Sequence, residues 1–142
     1  MASINVGRVV VGGLVSGVVG NVIDGVANNT LMAQDMADLT RKFGMDPAMA
    51  QSLAAAVPWI AVDFIFGFVM IFTYAAMRPR FGAGPKTAMI AAFVPFLAAS
   101  VVVYGFTSMG MMSMAAYWKG TIEALVSTQV AALAGAALYK EA

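Results

Sequence analysis

The chain has 142 residues, of which 61% are hydrophobic and 11% charged, and its mean hydropathy is +0.85. Soluble domains carry about 25% charged residues, so this composition excludes a soluble enzyme and a disordered chain. The sequence has no His and no Cys, which excludes imidazole and thiolate metal sites and the catalysis built on them, and a net charge of +1 offers no basic face for nucleic acid.

Four apolar segments are long enough to cross a bilayer, which takes about 20 helical residues. They cover residues 5–27, 57–77, 87–109 and 115–139. Because lipid cannot pair with exposed backbone groups, helices are the economical way to span it. The sequence therefore predicts an all-α membrane protein. We expect a single transmembrane domain over residues 1–142, formed by a bundle of four transmembrane helices.

The connection between the first two spans, residues 28–56, is too long for a simple turn. Apolar residues recur in it at helical spacing, at Met32, Met36, Leu39 and Phe43. This pattern predicts an outer amphipathic helix that lies flat on the membrane surface between spans 1 and 2. Asp46 and Pro47 then have the residue types of an N-cap and a first helical position. They indicate a further helix, which continues through Pro58 into span 2.

The orientation follows from the short connections, because Lys and Arg accumulate on the cytoplasmic side. One side holds five basic residues, namely Arg8, Arg78, Arg80, Lys86 and Lys140. The other side holds three, namely Arg41, Lys42 and Lys119. The bias predicts a multi-pass protein with both termini in the cytoplasm.

A group of polar residues lies in the outer half of the predicted bundle, at Asn21, Asp24, Asp63, Lys119 and Glu123. Charges inside a bilayer are costly, so each one is a functional hypothesis. One interpretation is a buried ion-pair network, in which Lys119 neutralises one carboxylate and Asn21 or Asn28 donates a hydrogen bond to another. The alternative is a proton or cation site, because carboxylate and amide oxygens suit hard cations and the acids outnumber the base.

Small residues mark candidate helix-packing faces, at Gly13, Gly17 and Gly20 in the first span and at Ala131 and Gly135 in the fourth. Such residues let helices approach closely in lipid. The spacing is compatible with packing inside the bundle and with a face for a second subunit.

Eight of the 12 methionines lie on or near the outer side, at Met32, Met36, Met45, Met49, Met109, Met111, Met112 and Met114. Thioethers are soft ligands that select Cu(I). The other interpretation is adaptable apolar packing.

Three segments, residues 5–13, 75–88 and 133–141, resemble a family of small four-helix bacterial inner-membrane proteins of unassigned function. Asp24 and Glu123 match acidic positions in that family, whereas Lys119 and the many methionines depart from it. The resemblance implies four spans and a bacterial inner membrane. It implies no activity, and no functional residue can be transferred from it.

The first functional hypothesis is a non-catalytic membrane protein that forms a homo-oligomer or serves as an accessory subunit of a larger membrane complex. Its partners would be the bilayer and other membrane subunits, with no cofactor. The alternative is a small proton or cation transporter or channel using Asp24, Asp63 and Glu123. Cu(I) handling by the methionines is the third.

Overall fold

The computed structural model describes residues 4–141, and within them it contains helices and no strand. The helices are α1 (Val6–Asn29), α2 (Ala33–Lys42), α3 (Pro47–Ala50), α4 (Leu53–Phe81), α5 (Pro85–Ser108) and α6 (Met114–Leu138). Four helical stretches are long and apolar enough to cross a membrane, namely α1, the stretch Pro47–Phe81, α5 and α6. The prediction of an all-helical chain with four helices of membrane-spanning length is confirmed.

Side-chain caps and glycines set the helix ends. Asp46 accepts a hydrogen bond from the Ala48 backbone N–H at 2.9 Å, as expected for an N-cap. The chain turns once more before Leu53, so the segment entering span 2 is broken between α3 and α4. From Leu53 onward α4 runs through Pro58 without interruption, as predicted. It ends before Gly82, whose φ of 80° favours glycine.

The four long helices pack in a closed arrangement. The helix α1 packs against α4 and α6, α5 packs against the same two helices, and α4 also contacts α6. Hence α1 and α5 lie on opposite sides of the α4–α6 pair. The backbone N–H of Asn5 donates to the Tyr139 hydroxyl at 3.2 Å, which joins the start of α1 to the residue that follows α6. We call this end of the molecule the terminal end and the opposite end the loop end.

Small side chains fill most of the interior, whereas many large ones point outward. Alanines at positions 75, 88, 91, 92, 131 and 132 are nearly inaccessible. Exposed large apolar residues occur on every long helix and include Val18, Phe72, Phe93, Leu97, Val101 and Ile122. In water this distribution would be unfavourable. It is the distribution expected where lipid covers the outer faces and small residues let the helices approach.

Candidate functional site

A cluster of carboxyl groups forms near the loop end, where α1, α4 and α6 meet. Asp24 comes from α1, Asp63 from α4 and Glu123 from α6. The side chains of Asp63 and Glu123 both lie close to the Asp24 side chain, and the Glu123 Oε1 atom is buried without a hydrogen-bond partner in the described residues. The Ser127 hydroxyl donates a hydrogen bond to the Asp24 carboxylate. We call Asp24, Asp63, Glu123 and Ser127 the carboxyl cluster. All its members are partly or fully buried.

Helical periodicity places the members of this cluster on facing sides of their helices. Glu123 and Ser127 are four residues apart and therefore lie on one face of α6. Gly20 precedes Asp24 by the same interval on α1, and a Cβ added to Gly20 would lie 3.8 Å from the Asp63 Cβ. Position 20 therefore lies directly beside Asp63, at an ordinary contact distance, which places Asp24 and Asp63 on facing sides of α1 and α4. Ser127 was not among the predicted site residues, although its spacing from Glu123 is the signal that identifies it.

The prediction that Lys119 neutralises a carboxylate of the cluster is wrong. The Lys119 Nζ atom lies 2.6 Å from Asp35 Oδ2, so its partner is on α2. Within residues 4–141, no basic group comes within 4.0 Å of a carboxylate of the cluster. The reason is the path of the first connection, which returns α2 to the start of α6 and provides Lys119 with a nearer acid. The cluster is consequently left with acids and no base.

The expectation that Asn21 or Asn28 donates to a carboxylate is also wrong: among the described residues the Asn28 side chain forms no hydrogen bond, and Asn21 bonds elsewhere. Its side-chain amide donates to the Gly17 carbonyl at 2.8 Å and to the Ile60 carbonyl at 3.3 Å. The first bond lies within α1, and the second joins α1 to the backbone of α4. Asn21 therefore holds two helices together beside the cluster and does not enter it.

The predicted packing residues of α1 are used inside the chain. A Cβ added to Gly13 would lie 3.0 Å from the Phe68 Cα, and one added to Gly17 would lie 2.9 Å from the Phe64 Cα. Real Cβ atoms essentially never approach other atoms so closely, so α4 occupies this face. The alternative that Gly13 and Gly17 form a face for a second subunit is wrong.

A second set of close contacts joins α1 to α6. It includes Ala131 and Gly135, the two packing residues predicted in the fourth span. The Ser16 hydroxyl donates to the Ala131 carbonyl at 2.8 Å. A Cβ added to Gly12 would lie 2.7 Å from the Gly135 carbonyl oxygen. These residues, together with Gly67 and Ile71 of α4, are all buried. We call the six residues Gly12, Ser16, Gly67, Ile71, Ala131 and Gly135 the closed layer. It lies between the carboxyl cluster and the terminal end.

The methionines of the copper hypothesis do not share one environment. Met32 is 5% exposed, whereas Met109 is 74% exposed. Met111 and Met112 line a cavity of about 180 Å³ at the loop end, together with Asp35 and Asp38 of α2. Binding of Cu(I) by these residues stays a prediction.

The ion pair between Lys119 and Asp35 joins α6 to α2, and we predict that it stabilises the docked position of α2. We expect Lys119→Glu to weaken the docking of α2 by about 0.5–1 kcal/mol, since the pair is partly exposed. The added change Asp35→Lys should restore the docking. The measurement is hydrogen exchange of the α2 amides in detergent micelles. Arg41→Glu is the matched control, because Arg41 pairs only with Asp38 of the same helix. Equal effects of Lys119→Glu and Arg41→Glu would contradict the role of this pair.

Chemically, the carboxyl cluster can hold a proton, because neighbouring carboxyl groups can share one. Within residues 4–141, no group of three or more His, Cys, Asp or Glu side chains has the arrangement needed to hold a metal ion.

Comparisons with known protein families, with curated proteins and with solved structures give no match.

Proposed function

We propose that this protein is a non-catalytic integral membrane protein that acts by assembling, either with itself or as an accessory subunit of a larger membrane complex. One observation carries the proposal. The closed layer joins α1, α4 and α6 by contacts between backbones, and it separates the carboxyl cluster from the terminal end. A single chain packed in this way has no room for a solute between these helices.

The outer faces supply the surface for assembly. Large apolar side chains are exposed on all four long helices, and they include Leu14, Ile65, Leu97 and Val126. Lipid tails or the helices of another subunit would cover them equally well. The glycines of α1 are covered by α4 and α6, so association through this face is not part of the proposal. Contacts between subunits would instead use the bulky outer residues.

We place the protein in a bacterial inner membrane with both termini in the cytoplasm. The count of five basic residues against three supports this orientation. The helix α2 would then lie at the outer surface. Met36 within α2 and Phe43 directly after it are exposed apolar residues, as in helices that rest at a membrane interface.

The test is gentle extraction of the protein from its own membrane, followed by measurement of the mass and polypeptide composition of the extracted particle. We expect the protein mass of the particle, after the bound detergent and lipid are subtracted, to exceed the 14.8 kDa of one chain. Other polypeptides in the particle would identify an accessory subunit, and copies of this chain alone would identify a homo-oligomer. A particle that contains a single chain at every detergent concentration would overturn the proposal.

The second candidate function is transport of protons or cations, and the carboxyl cluster favours protons, because the described residues have no arrangement of acids that could hold a metal ion. The observation that favours this candidate is the pairing of Lys119 with Asp35, which leaves Asp24, Asp63 and Glu123 without a basic partner. Acids without a counter-charge inside a membrane are typical of proton relays. Because the closed layer blocks the interior of one chain, the pathway would have to run between copies of the chain.

The second candidate predicts that Asp63→Asn abolishes proton flux into liposomes that contain the purified protein. Asparagine keeps the size and polarity of the side chain but cannot exchange a proton. The matched control is Asp38→Asn, which makes the same change on exposed α2. The flux would be followed with a pH-sensitive dye trapped in the liposomes. Full flux in the Asp63→Asn variant, or no flux in the unmodified protein, would remove this candidate.

A further inference from the structure

A buried arginine lies at the terminal end, far from the carboxyl cluster. Arg78, near the end of α4, has a side chain that is only 15% exposed. Its guanidinium carbon lies 5.7 Å from the centre of the Tyr74 ring and 5.2 Å from the centre of the Tyr139 ring. The two rings meet edge to face at 5.9 Å. Attraction between the cation and the ring faces fixes the position of the guanidinium group.

Arg78, Tyr74 and Tyr139 offer more hydrogen-bond donors than their neighbours offer acceptors. The Nε and Nη1 atoms of Arg78 are buried and form no hydrogen bond within residues 4–141. The hydroxyl oxygens of Tyr74 and Tyr139 accept hydrogen bonds from the backbone N–H groups of Gly84 and Asn5, both at 3.2 Å. In the same described range, neither hydroxyl donates a hydrogen bond. The guanidinium and both phenol protons are therefore available to an acceptor.

The nearest acid does not satisfy these donors. Glu141 places its Oε1 atom 3.6 Å from the Arg78 Nε atom, which is beyond hydrogen-bonding distance. Its side chain is 34% exposed, so it can turn away into solvent. Leaving the Nε and Nη1 donors buried without a hydrogen bond is costly, even with the Glu141 charge nearby. A ligand that supplies several acceptor oxygens would remove this cost by replacing Glu141.

We propose that Arg78, Tyr74 and Tyr139 form a binding site for a phosphate group. A phosphate offers several oxygens at the spacing that a guanidinium fork matches, and its negative charge would replace that of the Glu141 carboxylate. Arg80 and Lys86 are exposed on the same connection and add to the positive potential. The site lies at the end of two long apolar helices, where lipid headgroups would meet the protein. The phosphate is that of an anionic lipid headgroup or free phosphate.

The experiment measures the unfolding temperature of the purified protein in micelles as a function of added ligand. The probes are phosphatidylglycerol, phosphatidylcholine and inorganic phosphate. We expect an anionic probe to raise the unfolding temperature of the unmodified protein and of Arg80→Gln alike. The half-saturating concentration should rise about tenfold or more in Arg78→Gln, because a charge-assisted hydrogen bond is lost. Arg80→Gln is the matched control, because it removes the same charge two residues away.

The three probes distinguish a lipid headgroup from free phosphate as the ligand. A shift with phosphatidylglycerol and none with inorganic phosphate identifies a lipid site, and an equal shift with inorganic phosphate identifies a site for the free ion. Equal responses of Arg78→Gln and Arg80→Gln, or no shift with any anionic probe, would overturn the proposal. If Arg78→Gln does not fold, Tyr139→Phe keeps the ring and removes one donor. We expect about a threefold weaker response from it, and an unchanged response would count against the site.

Discussion

The Gly67→Ala variant is expected to lose about 3 kcal/mol of stability, although alanine is the better helix former. A Cβ at position 67 would lie 2.8 Å from the Gly17 backbone nitrogen, and it would overlap the Gly13 carbonyl oxygen. Both obstacles are backbone atoms inside α1, so no side-chain rotation can relieve them. The helices α1 and α4 would have to separate along their whole contact. The measurement is the free energy of unfolding from a titration with sodium dodecyl sulfate in mixed micelles.

The matched control is Gly25→Ala, the same chemical change on a long helix. A Cβ at position 25 would meet nothing within 4 Å. We expect this variant to be as stable as the unmodified protein or slightly more stable. Equal stabilities of Gly67→Ala and Gly25→Ala would show that α1 and α4 do not approach as closely as the structure has them. The closed layer would then lose its role in the proposed function.

The Ile71→Ala variant is expected to lose about 2–4 kcal/mol, because it opens a cavity where no solvent or lipid reaches. Ile71 is 0% exposed and lies against both glycines of the α1–α6 contact. Its Cγ2 atom would be 3.0 Å from a Cβ at Gly12, and its Cδ1 atom 2.9 Å from a Cβ at Gly135. Ile71 belongs to a buried apolar cluster with Val9 and Tyr74, so its removal leaves a gap in the packed interior. The same titration measures the loss.

Ile65→Ala on the same helix is the control. Ile65 is 59% exposed, so lipid or detergent replaces the lost methyl groups and no cavity remains. We expect a loss of less than about 1 kcal/mol from this change. Similar losses in the two variants would contradict the closed layer. If the layer is what blocks passage through one chain, Ile71→Ala is also the variant in which an ion leak through a monomer would first be measurable.

These two predictions bear directly on function, because they test the barrier on which the assembly proposal rests. The carboxyl cluster and the Arg78 site lie on opposite sides of the closed layer. The structure therefore separates an acidic site near the loop end from a donor-rich site at the terminal end. Asp63→Asn and Arg78→Gln should accordingly act independently, since residues this far apart share no partner.

The sequence by itself determined the number and extent of the long helices. Length and apolar character fix a spanning segment, because every backbone group in lipid must be paired inside the helix. Local chemistry also identified the cap at Asp46, because an N-cap depends only on its near neighbours. Helical periodicity placed Glu123 on one face of α6 and Asp24 on one face of α1. These features depend on residues close together in the chain.

The tertiary structure decided which groups became partners. Lys119 could have turned toward Glu123, one turn away on its own helix, but it meets Asp35, which lies 84 residues distant in the chain. The spacing of Gly13 and Gly17 was compatible with packing inside the bundle and with a second subunit, and in the structure α4 covers this face. The surroundings of Arg78 depend on Tyr139, which lies beside α4 because α6 packs against that helix. Helical periodicity predicts which side of a helix a residue occupies. Which residue lies opposite it depends on how the connections between helices place one helix against another.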